Sequence, residues 1–387
     1  MDQEIFKPSS TSKCMRISSM NHRVVVVATW SRLVLALLLC CHAQDTYGEP
    51  TSNPEHRPAI LLMQKAEPQV QLVDLTDVSG KWQVSVTPLT ADGIDLPPNV
   101  DRAQLLWTDK RLYSLGGRQG EVFARENGTW KANNPMKVPR RWPAVTYQAK
   151  HHKLVACGCV VSNQPELSDE PCLYSFEYRN TADAEAAWQI ISFPNDPYYR
   201  SNKHFLFAAV TAHNDSIYVA GGVGAGQRVY EFSFRYVQLN ILTSTTTQHQ
   251  HGPGLVTDGD TLLLCGGYLS WNYYGTCERY DIKTGSWTDE RTPLRLNWIH
   301  NRMYLVGDRL TVLGGGLNLE GGVIEVNYDI FVRDGSKNEA LVLSGAKISN
   351  AVSYGLLASA LLPRCVATNT PCTGGYLSEC LRKNYDR

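Results

Sequence analysis

The sequence lacks an excess of charge of either sign, because 37 lysine and arginine residues balance 37 aspartate and glutamate residues over 387 positions. This balance removes the electrostatic basis for a nucleic-acid or acidic-membrane partner, so neither is predicted. Apolar residues make up 43% of the chain, with 19 tyrosines and 9 tryptophans, which indicates a packed globular protein. The 30 glycines are often doubled, which favours tight turns and therefore β structure.

The sequence also lacks the motifs of common catalytic sites. It contains no Gly-x-Ser-x-Gly elbow and no His-Glu-x-x-His pair. The segment "GGVGAG" at residues 221–226 looks like a phosphate loop, but the pattern after it predicts a strand instead of the helix that such a loop needs. The histidines and cysteines of "HHKLVACGC" could form a zinc site, although paired histidines before a strand are more typical of a solvated turn. We therefore predict no catalytic residue, no metal and no cofactor.

No apolar run near the N-terminus is long enough to be an ordinary membrane span. The run from Leu33 to Cys41 has nine residues and follows a basic segment, which is typical of a signal peptide. We predict a signal peptide at residues 1–43, with Met20 as an alternative start, followed by a polar, proline-containing linker at 44–69. The alternative is a type II signal anchor over 24–41, which would place Arg32 in the bilayer at a cost of about 2.5–3.5 kcal/mol.

Cysteine usage and sequons fit the same secretory route. Three of the 11 cysteines precede residue 44, and the remaining eight form an even set, as an oxidising compartment favours. Asn127 and Asn214 begin the two sequons that have a permitted middle residue, so both are predicted glycosylation sites. These features predict a secreted, disulfide-containing glycoprotein.

The chain contains internal repeats. Five hydrophobic stretches end in a glycine pair or its variant, at a spacing of roughly 40 to 65 residues: "KRLYSLGG", "HKLVACGC", "DSIYVAGG", "DTLLLCGG" and "DRLTVLGG". None of them alternates between apolar and polar residues, which predicts a strand buried on both faces. A second strand with an aromatic residue follows, and then a tryptophan. The recurring positions, interpreted as structural, are Gly116, Gly117, Gly221, Gly222, Gly266, Gly267, Tyr280, Trp287, Gly314, Gly315, Trp82, Trp130 and Trp188.

This pattern resembles the kelch family, in which a hydrophobic strand leads into Gly-Gly, then Tyr-Asp, then Trp. The resemblance covers most of residues 70–365, and the best-matching unit lies at 266–287. It implies a β-propeller in which the glycine pair ends an inner strand of each blade and the aromatic residues pack between blades. The second unit departs from the pattern because Cys159 replaces a glycine, and the third unit has no tryptophan.

Five glycine-pair strands and two half-units predict an all-β, six-bladed kelch-type propeller, with seven blades as the alternative. Residues 349–365 look like the first half of a unit without its tryptophan, and residues 70–89 look like the second half alone. We therefore predict that N-terminal outer strands pair with C-terminal inner strands near Tyr354 and close the ring. The propeller would span 70–365, followed by a cysteine-containing tail at 366–387, and deleting residues 70–90 should open the ring.

Aligning the repeats brings four cysteines into register. Cys157 and Cys265 immediately precede a glycine position, whereas Cys172 and Cys277 open the following strand. We predict two hairpin disulfides, Cys157–Cys172 and Cys265–Cys277, each contributing about 3 kcal/mol. Cys159–Cys172 is a competing pair, and the connectivity of the three cysteines after residue 364 stays open.

The predicted function is that of a secreted binding module, not an enzyme, which recognises an extracellular protein or glycan through its inter-strand loops. The candidate loops are residues 160–171, 194–204 and 268–276. The last loop carries Trp271, Tyr273 and Tyr274, which are residue types enriched at interfaces and able to stack on sugars. The alternative is a small secreted enzyme, such as a kelch-type oxidase or hydrolase, with clustered His, Arg and carboxylate groups at the channel mouth. The mature chain is predicted to be a monomer without a membrane span.

Overall fold

The computed structural model describes the following residues: 58–64, 69–78, 81–89, 94–100, 103–108, 110–117, 119–159, 175–192, 205–222, 226–269, 272–273, 276–290, 298–299, 302–306, 309–313, 316–318, 324–326, 329–333, 342–347 and 358–363. Within these ranges the regular structure is β-strand, apart from a 3-10 turn at Ala149–His151.

The strands form six four-stranded antiparallel sheets, which we number as blades. The first three strands are β1 (Pro58–Gln64), β2 (Gln69–Val78) and β3 (Lys81–Leu89). Blade 1 contains β4 (Ala103–Trp107), β5 (Leu112–Gly116), β6 (Val122–Glu126) and β7 (Thr129–Asn133). Blade 2 contains β8 (Ala144–Gln148), β9 (Lys153–Cys157), β10 (Ser175–Asn180) and β11 (Gln189–Ser192). Blade 3 contains β12 (Ala209–His213), β13 (Ser216–Ala220), β14 (Val229–Ser233) and β15 (Gln238–Ile241).

Blades 4 and 5 carry small insertions. Blade 4 contains β16 (Gly254–Asp258), β17 (Thr261–Cys265), the inserted hairpin β18 (Tyr268–Leu269) and β19 (Asn272–Tyr273), then β20 (Cys277–Asp281) and β21 (Ser286–Glu290). After β22 (Trp298–Ile299), blade 5 contains β23 (Arg302–Val306), β24 (Arg309–Leu313), the inserted β25 (Gly316–Asn318) and β26 (Ile324–Val326), then β27 (Asp329–Arg333) and β28 (Val342–Lys347). The strand β29 (Ala358–Pro363) joins β1, β2 and β3 as blade 6.

Blade 6 is assembled from both ends of the described chain. Its strand order is β29-β1-β2-β3, so one C-terminal strand is innermost and three N-terminal strands follow outward. Leu61 lies opposite Ala360 in the β1–β29 pairing and opposite Leu72 in the β1–β2 pairing. The prediction of a six-bladed propeller closed by its two ends is therefore confirmed. Tyr354, near which the inner strand was expected, lies outside the described residues, and the described inner strand begins at Ala358.

The second strand of blade 6 is β1, which lies inside the range 44–69 that sequence analysis assigned to a linker. Its residues 59–63, "AILLM", are at most 1% exposed, so they are as buried as any other second strand. Unlike the second strands of blades 1 to 5, β1 carries no glycine pair, and the repeat pattern therefore does not reveal it. The described propeller begins at Pro58, ahead of the boundary predicted at residue 70.

Apolar clusters fill the junctions between neighbouring blades. The second strand of blade 4 shows how they are built, because Leu262 and Leu264 belong to the cluster shared with blade 3, whereas Leu263 and Cys265 belong to the cluster shared with blade 5. A strand with a neighbouring blade on each side must bury both of its faces. This explains why the glycine-pair strands show no hydrophobic alternation.

The connections define two ends of the channel. The inner strands begin at the end where the second strands finish at Gly116, Cys157, Ala220 and Cys265, and we call this end of the channel the loop face. The short turns at 149–152, 214–215 and 259–260 lie at the opposite end, which we call the turn face. The proposed binding loops 160–171 and 194–204 lie outside the described residues, and the loop 268–276 is described only in part.

Repeated tryptophans tie the outer strand of a blade to the chain segment that leads into the same blade. The indole Nε1–H groups donate to backbone carbonyls, from Trp130 to Asp95 (2.6 Å), from Trp188 to Asn134 (2.9 Å) and from Trp287 to Thr243 (2.7 Å). Trp287 also contacts the Tyr280 ring, with centroids 5.0 Å apart. Trp82 lies on β3 opposite Asp77, but its side chain lies outside the described residues, so its packing stays a prediction.

Candidate functional site

The inner strands of all six blades line a central channel, which contains a cavity of about 190 Å³. Its described lining is mostly aliphatic, and Arg302 on β23 is the single charged side chain among those lining residues. Burial lowers the pKa of Arg302, with partial opposition from the Tyr304 hydroxyl, but a guanidinium stays protonated at any physiological pH. The described lining thus contains one cation and neither a carboxylate nor a histidine.

Blade 2 buries an ion pair behind the loop face. Glu177 on β10 and Arg140 in the preceding blade-to-blade connection are both fully buried, with Nε and Oε1 3.3 Å apart. Glu177 also accepts the backbone N–H groups of Lys137 (2.7 Å) and Val138 (2.9 Å). The carboxylate therefore fixes the course of the segment that enters blade 2.

Blade 4 contains the equivalent arrangement with histidine in place of arginine. Glu278 on β20 accepts the backbone N–H groups of Thr246 (2.7 Å) and Thr247 (3.2 Å), both threonine hydroxyls, and His249 Nε2 (2.8 Å). The other ring nitrogen, Nδ1, lies 2.6 Å from the carbonyl oxygen of Gly266. Burial acts to raise the pKa of Glu278, but the hydrogen bonds from His249 and the threonines outweigh it and lower that pKa to about 2.

These pairs also hold the glycine pair of the previous blade. Gly117 donates to the carbonyl of Arg140 (2.8 Å), and Gly222 donates to the carbonyl of His249 (3.1 Å). A Cβ at Gly221 would lie 2.2 Å from that same His249 carbonyl oxygen, and its φ is +71°, so this position requires glycine. Because every polar atom named here already serves the joint between two blades, we assign these buried groups a structural role.

One of the two predicted hairpin disulfides is present in the structure and the other is not. The structure joins Cys265 to Cys277, which lie directly opposite each other in the β17–β20 pairing. Cys157 is instead a free, buried thiol, because the residue opposite it on β10 is Phe176 rather than a cysteine. Cys159 is disulfide-bonded, and its partner lies outside the described residues. The predicted Cys157–Cys172 bond is therefore wrong.

Cys157 is not a reactive thiol. Its side chain lies in the apolar cluster between blades 2 and 3, and burial raises its pKa to about 12 despite the opposing charge of Arg140. A thiolate is the reactive form of cysteine, so the free thiol of Cys157 is inert at neutral pH.

Both predicted sequon asparagines lie exposed in hairpin turns. Asn127 (φ 50°) is in the turn between β6 and β7, and Asn214 (φ 49°) is in the turn between β12 and β13. The Asn214 side-chain amide lies 2.7 Å from the Nε2 atom of His213, whereas no contact is described for the Asn127 amide. Asparagine tolerates this left-handed conformation better than most residues, which suits it to both turns.

The predicted aromatic loop is described only in part. Tyr273 lies on β19, which pairs with β18 to form the inserted hairpin of blade 4. Trp271 and Tyr274 lie outside the described residues, so the structure brings no predicted aromatic binding group to a described surface.

The structure instead exposes an apolar hairpin that sequence analysis missed. The turn between β14 and β15 in blade 3, residues 234–237, which we call the blade 3 hairpin, leaves Tyr236 67% and Val237 74% exposed. Ile241, on the following strand, is 57% exposed. Arg235 lies over the Tyr236 ring, 5.4 Å from its centroid. Tyrosine and arginine are over-represented among the residues that dominate binding energy at protein interfaces.

The blade 3 hairpin has a partly buried base at Phe234. Phe234 packs edge-on against Tyr178 (5.3 Å between centroids) and Phe232 (5.1 Å), and its backbone N–H donates to the carbonyl of Asp215 (2.9 Å). The base therefore fixes the position from which Tyr236 and Val237 project into solvent. A fixed apolar projection binds with less entropic cost than a mobile one.

Val237 also occupies a strained backbone conformation. The pairings Ser233–Gln238 and Asp281–Ser286 align the blade 3 hairpin with the turn of blade 4, and Val237 then corresponds to Gly285. Gly285 has φ +68° and Val237 has φ +51°. A β-branched residue is disfavoured there, at a cost of about 1–3 kcal/mol. The sequence already shows this difference, because it has "YV" at residues 236–237 where the blade 4 unit has "TG" at residues 284–285.

The described residues offer neither a metal-binding cluster nor a membrane-spanning helix. No group of His, Cys, Asp and Glu side chains within the described ranges could hold a metal ion. No helix in that part of the chain is long and apolar enough to cross a bilayer.

Six four-stranded antiparallel blades around a central channel define a six-bladed β-propeller. A family model of the Kelch motif matches residues 251–293, which contain all four strands of blade 4. The six-bladed fold and this match agree with the kelch-type β-propeller that the resemblance implied, a fold that typically serves as a scaffold for protein interaction. No curated protein matches the chain significantly.

Proposed function

We propose that the protein is a secreted binding module that docks a protein partner through the blade 3 hairpin. The observation that carries this proposal is the exposed and strained pair Tyr236–Val237 on a packed, partly buried base. Strain at a surface turn lowers stability, and it persists in natural proteins mainly where function requires it. The partner that fits is a protein with an apolar socket and an acidic rim, because Arg235 flanks the projecting side chains.

Several features support a secreted setting. Residues 1–43 have the pattern of a signal peptide, and the described chain contains a Cys265–Cys277 disulfide, which a reducing cytosol would not maintain. The exposure of Asn127 and Asn214 is compatible with glycosylation.

The alternative enzyme function requires a cluster of His, Arg and carboxylate groups at the channel. The described lining supplies Arg302 and the Tyr304 hydroxyl but neither a histidine nor a carboxylate, so it favours binding over catalysis. The glycan-binding alternative depends on Trp271 and Tyr274, which lie outside the described residues.

The secretory setting is tested by expression in cells that glycosylate secreted proteins. We expect the chain in the medium to begin at Gln44 and to lose mass on treatment with an N-glycosidase. The variant Asn127→Gln should remove one glycan from the mass spectrum. A full-length, unglycosylated chain retained in the cytosol would contradict this setting and leave the docking surface to be judged separately.

The docking surface is tested by Val237→Gly. We expect this variant to be more stable by about 1 kcal/mol because it relieves backbone strain, yet to bind its partner more weakly because an apolar contact is lost. Stability is measured by urea denaturation. Binding is measured by the yield of a discrete adduct from a photo-crosslinking amino acid placed at position 236.

A matched control uses the equivalent turn of blade 4. A crosslinker at position 284 should give no such adduct, and Gly285→Val should destabilise the protein without changing the adduct formed from position 236. Equal adducts from positions 236 and 284, or an adduct that Val237→Gly leaves unchanged, would overturn the proposed surface.

A further inference from the structure

One level of the channel combines two polar side chains with small residues. Gln104 lies opposite Leu115, and Arg302 lies opposite Leu313; each of these leucines directly precedes a glycine pair. The two side chains therefore sit at the same height, where the inner strands begin at the loop face. Blades 2, 3 and 4 place only small residues at this level: Ala144, Ala209 and Gly254.

Both polar side chains carry a buried donor without an acceptor. The Nε2 amide of Gln104 and the Nε–H of Arg302 have no hydrogen-bond partner among the described residues, and both side chains line the cavity. Gln104 is only 3% exposed, so bulk water does not compensate for the missing bond. Buried donors that lack a partner cost about 1–3 kcal/mol each. A ligand whose acceptor atoms bond to these donors would remove this cost, which favours its binding.

The residue that follows this level on the inner strands of blades 1 to 5 is apolar. Leu105, Val145, Val210, Leu255 and Met303 follow the polar level on blades 1 to 5 and belong to the described lining. The cavity of about 190 Å³ is somewhat larger than the roughly 150 Å³ that accommodates a benzene ring in an apolar protein cavity. The shape therefore suits a small molecule with an anionic head at the loop face and a short apolar body deeper in the channel.

We propose that the channel binds a small monocarboxylate, whose oxygens accept from Gln104 Nε2 and from the Arg302 guanidinium. A single negative charge matches the single cation of the described lining, so a doubly charged anion would be left partly unpaired. The aliphatic ring of side chains below the polar level holds the hydrocarbon part. This site lies on the channel axis and is independent of the blade 3 hairpin.

Benzoate is a suitable probe, and its binding is measured by calorimetry and by ligand-observed NMR. We expect saturable binding with a Kd of about 1 mM or tighter, and at least about tenfold weaker binding of benzamide, which keeps the shape without the charge. Sulfate at equal ionic strength should not compete. This comparison of ligands requires no substitution and so decides the question even if a variant fails to fold.

Two variants locate the site. Arg302→Met should weaken benzoate binding at least about tenfold, and Gln104→Glu should abolish it because the new carboxylate pairs with Arg302 in place of the ligand. Ser85→Ala, a control at an exposed position of β3 that is not among the lining residues, should leave the affinity within about twofold. The proposal is wrong if the wild type shows no saturable binding at about 10 mM benzoate, if benzamide binds equally well, or if both channel variants keep the wild-type affinity.

Discussion

A chain that lacks residues 58–89 should not form a closed propeller. The deletion removes β1, β2 and β3, which leaves β29 as the only strand of blade 6. Five buried apolar side chains on β1 would be lost from the junctions with blades 1 and 5. At about 1.5–3 kcal/mol for each large side chain, this loss is as large as the whole stability of a typical domain, about 5–15 kcal/mol. We expect loss of the cooperative thermal transition, measured by circular dichroism and calorimetry, and association through the open edges.

Single substitutions within the same strands provide reference values for the stability effect of the deletion. Leu61→Ala removes one fully buried side chain at the blade 6–blade 1 junction and should cost about 2–5 kcal/mol. Ser85→Ala, at an exposed position of β3, should change stability by less than about 0.5 kcal/mol. A deleted chain that stays monomeric and melts cooperatively near the wild-type temperature would show that closure by the N-terminal strands is not needed.

Replacing Glu278 by glutamine should destabilise the protein by about 3–5 kcal/mol at neutral pH. Glu278 is fully buried and accepts five hydrogen bonds, and the amide of the variant can accept at only one of its two terminal atoms. His249 would also lose the carboxylate opposite its Nε2 atom. The change is measured as the free energy of unfolding in urea.

The effect of this substitution should depend on pH in a defined direction. The pKa of Glu278 is about 2 in the folded protein, and about 4.3 is usual for an unfolded chain. Because the folded value is lower, the stabilisation is complete above about pH 4.3 and disappears as the pH falls toward 2. The difference between wild type and Glu278→Gln should therefore shrink as the pH falls below about 4.

A surface glutamate provides the matched control. Glu126 pairs with Arg111 (3.1 Å) and Lys131 (3.5 Å) and is partly exposed to solvent, so Glu126→Gln should cost no more than about 1 kcal/mol. Two results would contradict the structural role that we assign to the buried carboxylate at the junction between two blades. One is a stability loss for Glu278→Gln as small as that for Glu126→Gln, and the other is an effect that does not shrink in acid.

The repeat allowed much of the fold to be predicted from sequence. Five glycine-pair strands gave the second strands of blades 1 to 5, and the two half-units gave the closure, because each signal is local in the chain. The strand β1 escaped because "AILLM" buries its side chains equally well without a glycine pair. Its place in blade 6 is set by pairing with β29, a contact between the two ends of the described chain.

The disulfide error has a similar origin. Aligning the repeats places Cys172 beside Cys277, but strand register, not alignment, decides which residues lie opposite each other. Phe176 lies opposite Cys157, whereas Cys277 lies opposite Cys265. One unit therefore forms a hairpin disulfide between its second and third strands, and the other leaves Cys157 as a buried thiol.

The candidate sites were harder to predict than the fold. The "YV" of the blade 3 hairpin was visible in the sequence, but its exposed position depends on the contact that Phe234 makes with Tyr178 of the neighbouring blade. Nothing local distinguishes Gln104 from other polar residues, and its unpaired donor is defined only by what surrounds it in the channel.

The sequence alone established the repeat and the all-β class and favoured six blades over seven, because each unit specifies its own strands and turns through nearby residues. The tertiary structure alone decided which side chains of different blades meet. Ring closure and strand register bring Gln104 and Arg302 to one level of the channel, and they leave Tyr236 and Val237 in solvent. These arrangements depend on residues far apart in the chain, so no local pattern records them.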